Sequence, residues 1–439
     1  MQRFKRLAEP GDGSVSSPRP APRVAAVTVA PGIAPRAAAS LQKREERLPA
    51  CVPPGIAVYE RMESVEALRA DWETLLEDFA CGSPFCTWEW LTSWWRAYGG
   101  DDRLLVVAVR NESSELIGLA PLAMSARRVC GVTLRSLRLV GDGTFDSDNL
   151  DLPVRPGCEA EFGRALLDWL ARHARDWDIC QLRTLPADSP MGNRLPGDLK
   201  ARGWKTYTSR QPHPVVELRG SWDAYLKALS SKERGKIGSR ARRLEKRYQV
   251  RVRKCAEASE LDSALEALFD LHSRHWRLRG LEGSFRWPAR RQFYRALAPL
   301  LLAREQLEFW LLELDGVVVA AQFALRHGDT AYSLQEGFDP EYASDSVGYV
   351  LRSHVLKDLI GRGVRQYDFL FGVDESKLRW GARVHSYVSV EFARPGGIGG
   401  RVLPLMQIGP SVKAWMQANL PDPVLRALKR PQGRGRDDE

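Results

Sequence analysis

Long apolar runs, metal-ligand clusters and glycine-rich nucleotide loops are all missing from this chain. No uninterrupted apolar stretch in its 439 residues approaches the roughly 20 that cross a bilayer. The opening Met-Gln-Arg-Phe-Lys-Arg-Leu-Ala-Glu-Pro has no apolar core of signal-peptide type behind it, so a cytoplasmic protein without a transmembrane segment is expected. The seven cysteines, Cys51, Cys81, Cys86, Cys130, Cys158, Cys180 and Cys255, form no Cys-x-x-Cys pair. They read as reduced, core or neutral positions rather than a disulfide framework. Only His272 and His275 stand close together among the seven histidines, with no further ligand at metal spacing, so no metal is expected. Gly-x-Gly-x-x-Gly does not occur, which argues against a dinucleotide site. Neither helix-turn-helix nor zinc-finger spacing supports a DNA-binding module.

What is present is enough for a large core. The composition is 44% apolar and 27% charged with a net charge of +10, and the length predicts two domains plus tails. Residues 1–54, rich in Pro, Ala, Ser and Arg without apolar periodicity, read as a flexible arm. A first unit spans 55–210, a second 211–395, and an extension 396–439.

In the first unit, Val65, Leu68, Trp72, Leu75, Leu76 and Phe79 recur at helical spacing. Thr87 reads as the N-cap of a second helix that buries Trp90, Leu91, Trp94 and Trp95. Strands follow at 104–109, 116–124 and 134–140, then a helix over 160–173, a strand at 179–182 and a Pro/Gly/Asn stretch over 186–197. The second unit opens with Pro214–Leu218 and a helix over 222–229. Further helices are expected at 260–279, 288–303 and 347–360, with strands at 250–252, 309–314, 317–325, 331–335, 367–371 and 387–392. Asp315-Gly316 is a hairpin turn. A short helix over 410–418 and a frayed basic end from 426 complete the chain. The units share one element order: helix, helix, hairpin-linked strands, helix, strand. That order predicts a duplicated fold.

Residues 366–381 concentrate the ionisable groups. Tyr367, Phe369 and Phe371 alternate with Asp368 and Leu370 as a strand, released by Gly372 into a loop carrying Asp374, Glu375, Lys377, Arg379 and Trp380. A solvated loop at a sheet edge is one reading. A ligand-facing junction is the other, because a carboxylate inside an apolar strand needs a partner or a role.

Residues 232–248 hold eight basic and two acidic residues, with Ile237, Ala241, Leu244 and Tyr248 on one helical face. They read as a solvated amphipathic helix, or as a contact for phosphates or nucleic acid. His272 and Trp276 stack at i,i+4 near a helix end, and either His272 or His275 reads as a base or as a core histidine. Glu336 stands at a strand end, where it can polarise a nucleophile. Ser346, Val347 and Gly348 start a helix whose free N–H groups make a modest phosphate nest.

The second unit resembles the GNAT-like acyltransferase domain of the bacterial family of cellulose and exopolysaccharide biosynthesis proteins, related to the Fem-type aminoacyl transferases. The resemblance rests on Leu271-His272 with Trp276 and Arg279-Gly280, on Leu312–Gln322, on Gln335–Pro340, and on Tyr367–Gly372 with Lys377 and Trp380. A Tyr-Lys pair common in that family is here Ser376-Lys377. The first unit resembles the N-terminal half of such proteins in Pro84-Phe85, in Trp88–Trp95 and in Asp148-Asn-Leu-Asp-Leu152. The resemblance implies an α/β protein with mixed sheets in tandem GNAT-like acyltransferase folds. It implies acyl transfer from acetyl-CoA or another acyl-CoA to an amine, such as an amino sugar, in polysaccharide or envelope synthesis.

On that resemblance Asp368, Glu336 and His272 are the candidate catalytic groups, and Ser346, Val347, Gly348 and Lys377 would meet the donor. Trp276, Arg279, Arg379 and Trp380 would meet the acceptor. Direct transfer is expected, since no cysteine stands in these clusters. The alternatives are a Fem-like aminoacyl transferase using charged tRNA and a noncatalytic accessory of polysaccharide machinery. The sequence leaves the oligomeric state open.

Overall fold

The computed structural model describes residues 55–407 apart from 80–81, 130–131, 145 and 279. The expected arm, the helix over 410–418 and the basic end lie outside the described residues. The first half runs β1 (Gly55–Tyr59), α1 (Met62–Glu66), α2 (Arg69–Asp78), α3 (Trp88–Tyr98), β2 (Arg103–Arg110), β3 (Leu116–Val129), β4 (Val132–Leu139), α4 (Glu159–Arg172), β5 (Ile179–Pro186), α5 (Pro190–Ala201) and β6 (Lys205–Glu217). The second runs α6 (Trp222–Ala228), α7 (Ser231–Glu245), β7 (Val250–Lys254), α8 (Leu261–Arg277), α9 (Pro288–Ala303), β8 (Leu307–Leu314), β9 (Val317–His327), β10 (Thr330–Phe338), α10 (Val347–Gly361), β11 (Gln366–Asp368), α11 (Glu375–Leu378) and β12 (Arg383–Ala393). Among the described residues no helix is long and apolar enough to cross a membrane.

Local chemistry explains most of these boundaries. The Thr87 hydroxyl accepts from Trp90 N at 3.4 Å, the cap expected for α3. Asp315 and Gly316 both take positive φ, 50° and 85°, as a two-residue hairpin turn requires. The stretch over 186–197, read as irregular, in fact contains most of α5. Ser189 caps it by accepting from Gly192 N at 2.9 Å, Pro190 fits the first turn, and Met191, Leu195 and Leu199 are buried at helical spacing.

The twelve strands form one mixed sheet in the order β1-β2-β3-β4-β5-β12-β6-β11-β10-β9-β8-β7. Each half contributes four antiparallel strands, and a fifth that joins in parallel, β5 beside β4 and β11 beside β10. The sixth strands are exchanged. β6 lies against β11 of the second half, and β12 lies against β5 of the first. β6 and β12 pair with each other along eleven residues, from Arg383↔Val215 to Ala393↔Lys205. The architecture is thus α/β with one mixed sheet built from two units of like strand order. The division expected at residues 210 and 211 falls inside β6, so the units share their central strands.

The core crosses the same seam. One apolar cluster joins Trp72, Trp90 and Phe162 of the first half to Phe269, Phe293 and Phe323 of the second. A second cluster lies under α7 and α10, with Val350, Leu356, Tyr367 and Trp380. Cys86, Cys180 and Cys255 are buried. Cys158 is disulfide-bonded, which corrects the expectation of uniformly reduced cysteines.

Candidate active site

β10 and β11 pair over only three residues, Thr330↔Gln366, Ala331↔Tyr367 and Tyr332↔Asp368. β10 then continues to Phe338 through a bulge between Ser333 and Gln335, whereas β11 stops. The reason is local. The Leu370 N–H donates to Asp368 Oδ1 at 2.7 Å, and Leu370 takes a left-handed φ of 59°. The strand expected to reach Phe371 therefore ends three residues early. Beyond Tyr332 the edge of β10 faces a fork, and its backbone groups on that side have no strand beside them.

Asp368 closes the fork at 4% exposure. Asn149 Nδ2 lies 3.5 Å from its Oδ2, and His213 Nε2 lies 3.7 Å from the same oxygen. His213 stacks flat on Tyr387 at 3.8 Å, and burial pulls it down to about 3, so it is neutral and brings no compensating charge. Burial accordingly pushes Asp368 up to about 7, against the lowering effect of the Leu370 N–H.

The first half supplies a second carboxylate. Its loop after β4 brings Asn149, at a left-handed φ of 51°, and Asp148, whose Oδ2 accepts from Phe371 N at 2.8 Å. Burial pushes Asp148 up to about 6. Asn149 also donates to the Tyr387 hydroxyl at 3.3 Å. Two acids from opposite halves, each held above the usual carboxylate range, meet at the mouth of the fork.

Lys377 stands beside them in a role other than the phosphate contact expected. Its Nζ donates to the carbonyls of Phe369, Phe371 and Gly372 at 3.2, 2.9 and 2.8 Å, tying down the turn that carries Asp368. Burial lowers its pKa, the neighbouring Arg352 adds to the lowering, and Asp374, Asp148 and Asp368 oppose it. Glu336, on β10, forms an ion pair with Arg352 of α10, whose guanidinium covers the Phe369 ring at 5.0 Å. Lys377 thus adjoins the turn after Asp368, whereas Glu336 reaches Phe369 through Arg352.

His272 lies elsewhere. α8 crosses β10 at Gly337 so closely that a Cβ there would sit 2.4 Å from His272 N. His272 Nδ1 is 3.0 Å from the Glu336 carbonyl, and its Nε2 is 3.1 Å from Ser284 Oγ. Both ring nitrogens are occupied, and burial lowers the pKa to about 3. It therefore fits a structural histidine better than a base. With Trp276, Tyr98, Thr144, Trp287 and Gln335 it lines a cavity of about 630 Å³ between the loop after β4 and the α8–α9 connection. Gln335 is three residues along β10 from Tyr332, roughly 10 Å, so the cavity and the fork flank one strand.

The remaining expected residues disperse. Trp380 is core, 1% exposed, packed on Tyr349 at 4.4 Å with its carbonyl accepting from the Tyr225 hydroxyl at 2.9 Å. Arg379 pairs with Glu375 and lines a separate cavity of about 390 Å³ with Leu229 and Ser230. Arg279 lies outside the described residues. At the start of α10, Ser346 takes φ 60° and makes no capping bond, and Val347 is buried. The preceding turn is held by α7, since Arg243 donates to Ser344 O at 2.7 Å and Arg247 to Asp345 at 2.5 Å. Among the described residues no group of three His, Cys, Asp or Glu side chains could hold a metal ion.

Asp148, Asn149, His213, Tyr387 and Arg352 were not among the expected site residues. The run Asp148-Asn-Leu-Asp-Leu152 entered only through the resemblance of the first unit, and its meeting with Asp368 joins segments 219 residues apart.

With this geometry in place, comparison with known proteins gives the class. Residues 231–378 match the family model of the acetyltransferase (GNAT) domain. The match supports an enzyme of the acyl-transfer class, with a donor of the acyl-CoA type. No curated protein matches the chain. The crystal structure of FemX aligns with a TM-score of 0.55 at 14% identity, covering 80% of this chain and 99% of that one. At such identity the likeness concerns the fold alone. A tandem GNAT protein from the clavulanic acid biosynthesis pathway aligns over 78% of this chain and 99% of its own at 13% identity, with a TM-score of 0.43, too low to bear an argument.

Proposed function

We propose that the protein is an N-acyltransferase that moves an acyl group from an acyl-CoA to the amine of an amino sugar, in the formation of polysaccharide or cell envelope. The observation that carries the reading is the pair of raised carboxyls, Asp368 and Asp148, at the fork between β10 and β11. An amine arrives as an ammonium ion and must lose a proton before it can attack a thioester. A carboxylate whose pKa lies near 7 is a far better acceptor for that proton than one near 4. The amine nitrogen then bonds to the thioester carbonyl carbon, the C–S bond breaks, and the sulfur leaves with the electron pair and takes a proton. The unpaired edge of β10 supplies N–H groups for the donor arm and for charge developing on the carbonyl oxygen. The start of α10, from Ser346 to Gly348, would meet the donor's phosphates. The cavity containing Trp276 and Gln335 would take the acceptor, with indole faces against the apolar side of a sugar ring.

Transfer from charged tRNA loses part of its support. Lys236 is paired with Glu233, and Arg240, Arg243 and Arg247 of the basic segment are turned onto Tyr349, Ser344 and Asp345.

The test is thiol release from acetyl-CoA and longer acyl-CoAs in the presence of a panel of amino sugars, for the wild type and for Asp148→Asn. Turnover with at least one amino sugar, reduced about 100-fold or more in the variant, supports the reading. Absence of both thiol release and acyl-CoA binding across the panel overturns it.

A further inference from the structure

The connection between α8 and α9 carries a group of exposed apolar side chains. Leu278 is 67% exposed, Leu281 53% and Trp287 58%, three large apolar side chains within ten residues of chain. Gly280 and Gly283 take φ 71° and 75°, and a single 3-10 turn over Ser284–Arg286 precedes α9. Leu281 and Trp287 stand together on the rim of the larger cavity.

The surrounding charge is one-sided. Residues 274–295 contain seven arginines, Arg274, Arg277, Arg279, Arg286, Arg290, Arg291 and Arg295, against the single acid Glu282. Some of these are engaged: Arg290 with Asp146, Arg274 with Asp339, Arg295 with Glu266, and Arg286 with Glu282. Arg277 is exposed, whereas Arg291 donates to the Phe285 carbonyl at 2.8 Å and lies over the buried Phe269 ring at 5.4 Å. The Arg286 guanidinium lies over the Trp287 ring at 4.6 Å, so a cation is held against an exposed aromatic ring.

We propose that the α8–α9 connection is a docking surface for an anionic lipid bilayer, with Leu278, Leu281 and Trp287 entering the headgroup region and Arg277 and Arg286 meeting lipid phosphates. The composition selects this occupant. Trp favours the membrane–water interface, where its apolar ring and its N–H are both accommodated, and arginine stems reach from an apolar layer to phosphates. Three side chains at half to two-thirds exposure make a patch on the order of 300 Å², well below the roughly 800 Å² per partner of a standard protein interface. Leu278 and Leu281 offer a nucleic acid nothing to stack on, whereas they add directly to insertion into a lipid surface.

The test is co-sedimentation of the full chain with vesicles of phosphatidylcholine alone and of an equimolar phosphatidylcholine and phosphatidylglycerol mixture, at low and high salt. The expected result is pelleting with the mixed vesicles that weakens as salt rises and is at least tenfold weaker with phosphatidylcholine alone. Leu281→Ser with Trp287→Ser should weaken binding to mixed vesicles about tenfold with an unchanged melting temperature. Arg277→Glu should weaken it several-fold while leaving the weak binding to phosphatidylcholine as it was. Equal binding by the wild type and these variants, or no binding to either vesicle, overturns the proposal. So does a result in which the same variants lose binding to RNA, or change from dimer to monomer in solution, while vesicle binding stays the same. Vesicle binding is read without any acyl donor, so its outcome is independent of the acyltransferase assay.

Discussion

Replacing Asp368 by Asn should make the protein more stable at alkaline pH and less active, and the size of the first effect follows from the burial of this one group. In the fold the carboxyl has a pKa of about 7, against roughly 3.9 in an unfolded chain. The folded state therefore holds a proton between those values that the unfolded state has already lost. The stability carried by the protonated acid is complete below about pH 4 and is lost as pH rises through 7. Three pH units at 1.36 kcal/mol each set the upper bound at about 4 kcal/mol.

Asn keeps an oxygen for the Leu370 N–H, 2.7 Å away in the wild type, and carries no charge to desolvate. It also turns an amide N–H₂ toward Asn149 Nδ2, now 3.5 Å from the acid's oxygen, which costs about 1 to 2 kcal/mol at all pH values. The net expectation is a variant about 1 kcal/mol less stable than wild type at pH 4 and about 2 kcal/mol more stable at pH 8. The latter is a rise of a few degrees in melting temperature for a fold of this size. Differential scanning fluorimetry from pH 4 to 9 reads the crossover directly. A difference between variant and wild type that stays constant across this range would refute the reasoning, because Asp368 would then not change protonation between fold and unfolded chain.

Two further outcomes test the frame that holds the site. Gly337→Ala should lose about 2 to 3 kcal/mol in urea unfolding, because the new methyl would lie 2.4 Å from His272 N and 2.8 Å from Leu271 C, backbone atoms that cannot rotate away. An unchanged midpoint would mean that α8 can retreat from β10. Arg290→Met should lose about 3 kcal/mol in thermal or denaturant unfolding, since it leaves Asp146 buried with only the Tyr98 and Tyr294 hydroxyls, at 2.9 and 3.0 Å. A loss under 1 kcal/mol would show that this contact between the halves is not needed to hold them.

The elements were legible wherever one residue type forces one backbone state. Asp315-Gly316 declared its hairpin and Thr87 its helix start. Residues 186–197 were misread because Pro196 and Gly197 looked like loop composition, whereas Ser189 and the buried Met191, Leu195 and Leu199 outweigh them. Trp380 is an expected acceptor contact on the resemblance alone. The fold buries it against Tyr349, where its size fills space beneath α10. Lys377, expected to meet the donor, instead spends its donors on three carbonyls of a tight turn.

By itself the sequence determined the periodicities, the turns and the repeated element order, and hence two similar units, because those depend on contacts within a few residues. Only the tertiary structure decided that β6 and β12 change places, since a strand's partner is chosen by the edge left open elsewhere in the sheet. That exchange lets a loop of the first half bring Asp148 and Asn149 to Asp368, more than 200 residues away, and the resulting burial moves both acids out of the usual carboxylate range. A pKa is a property of the surroundings of a group, and these surroundings come from both halves.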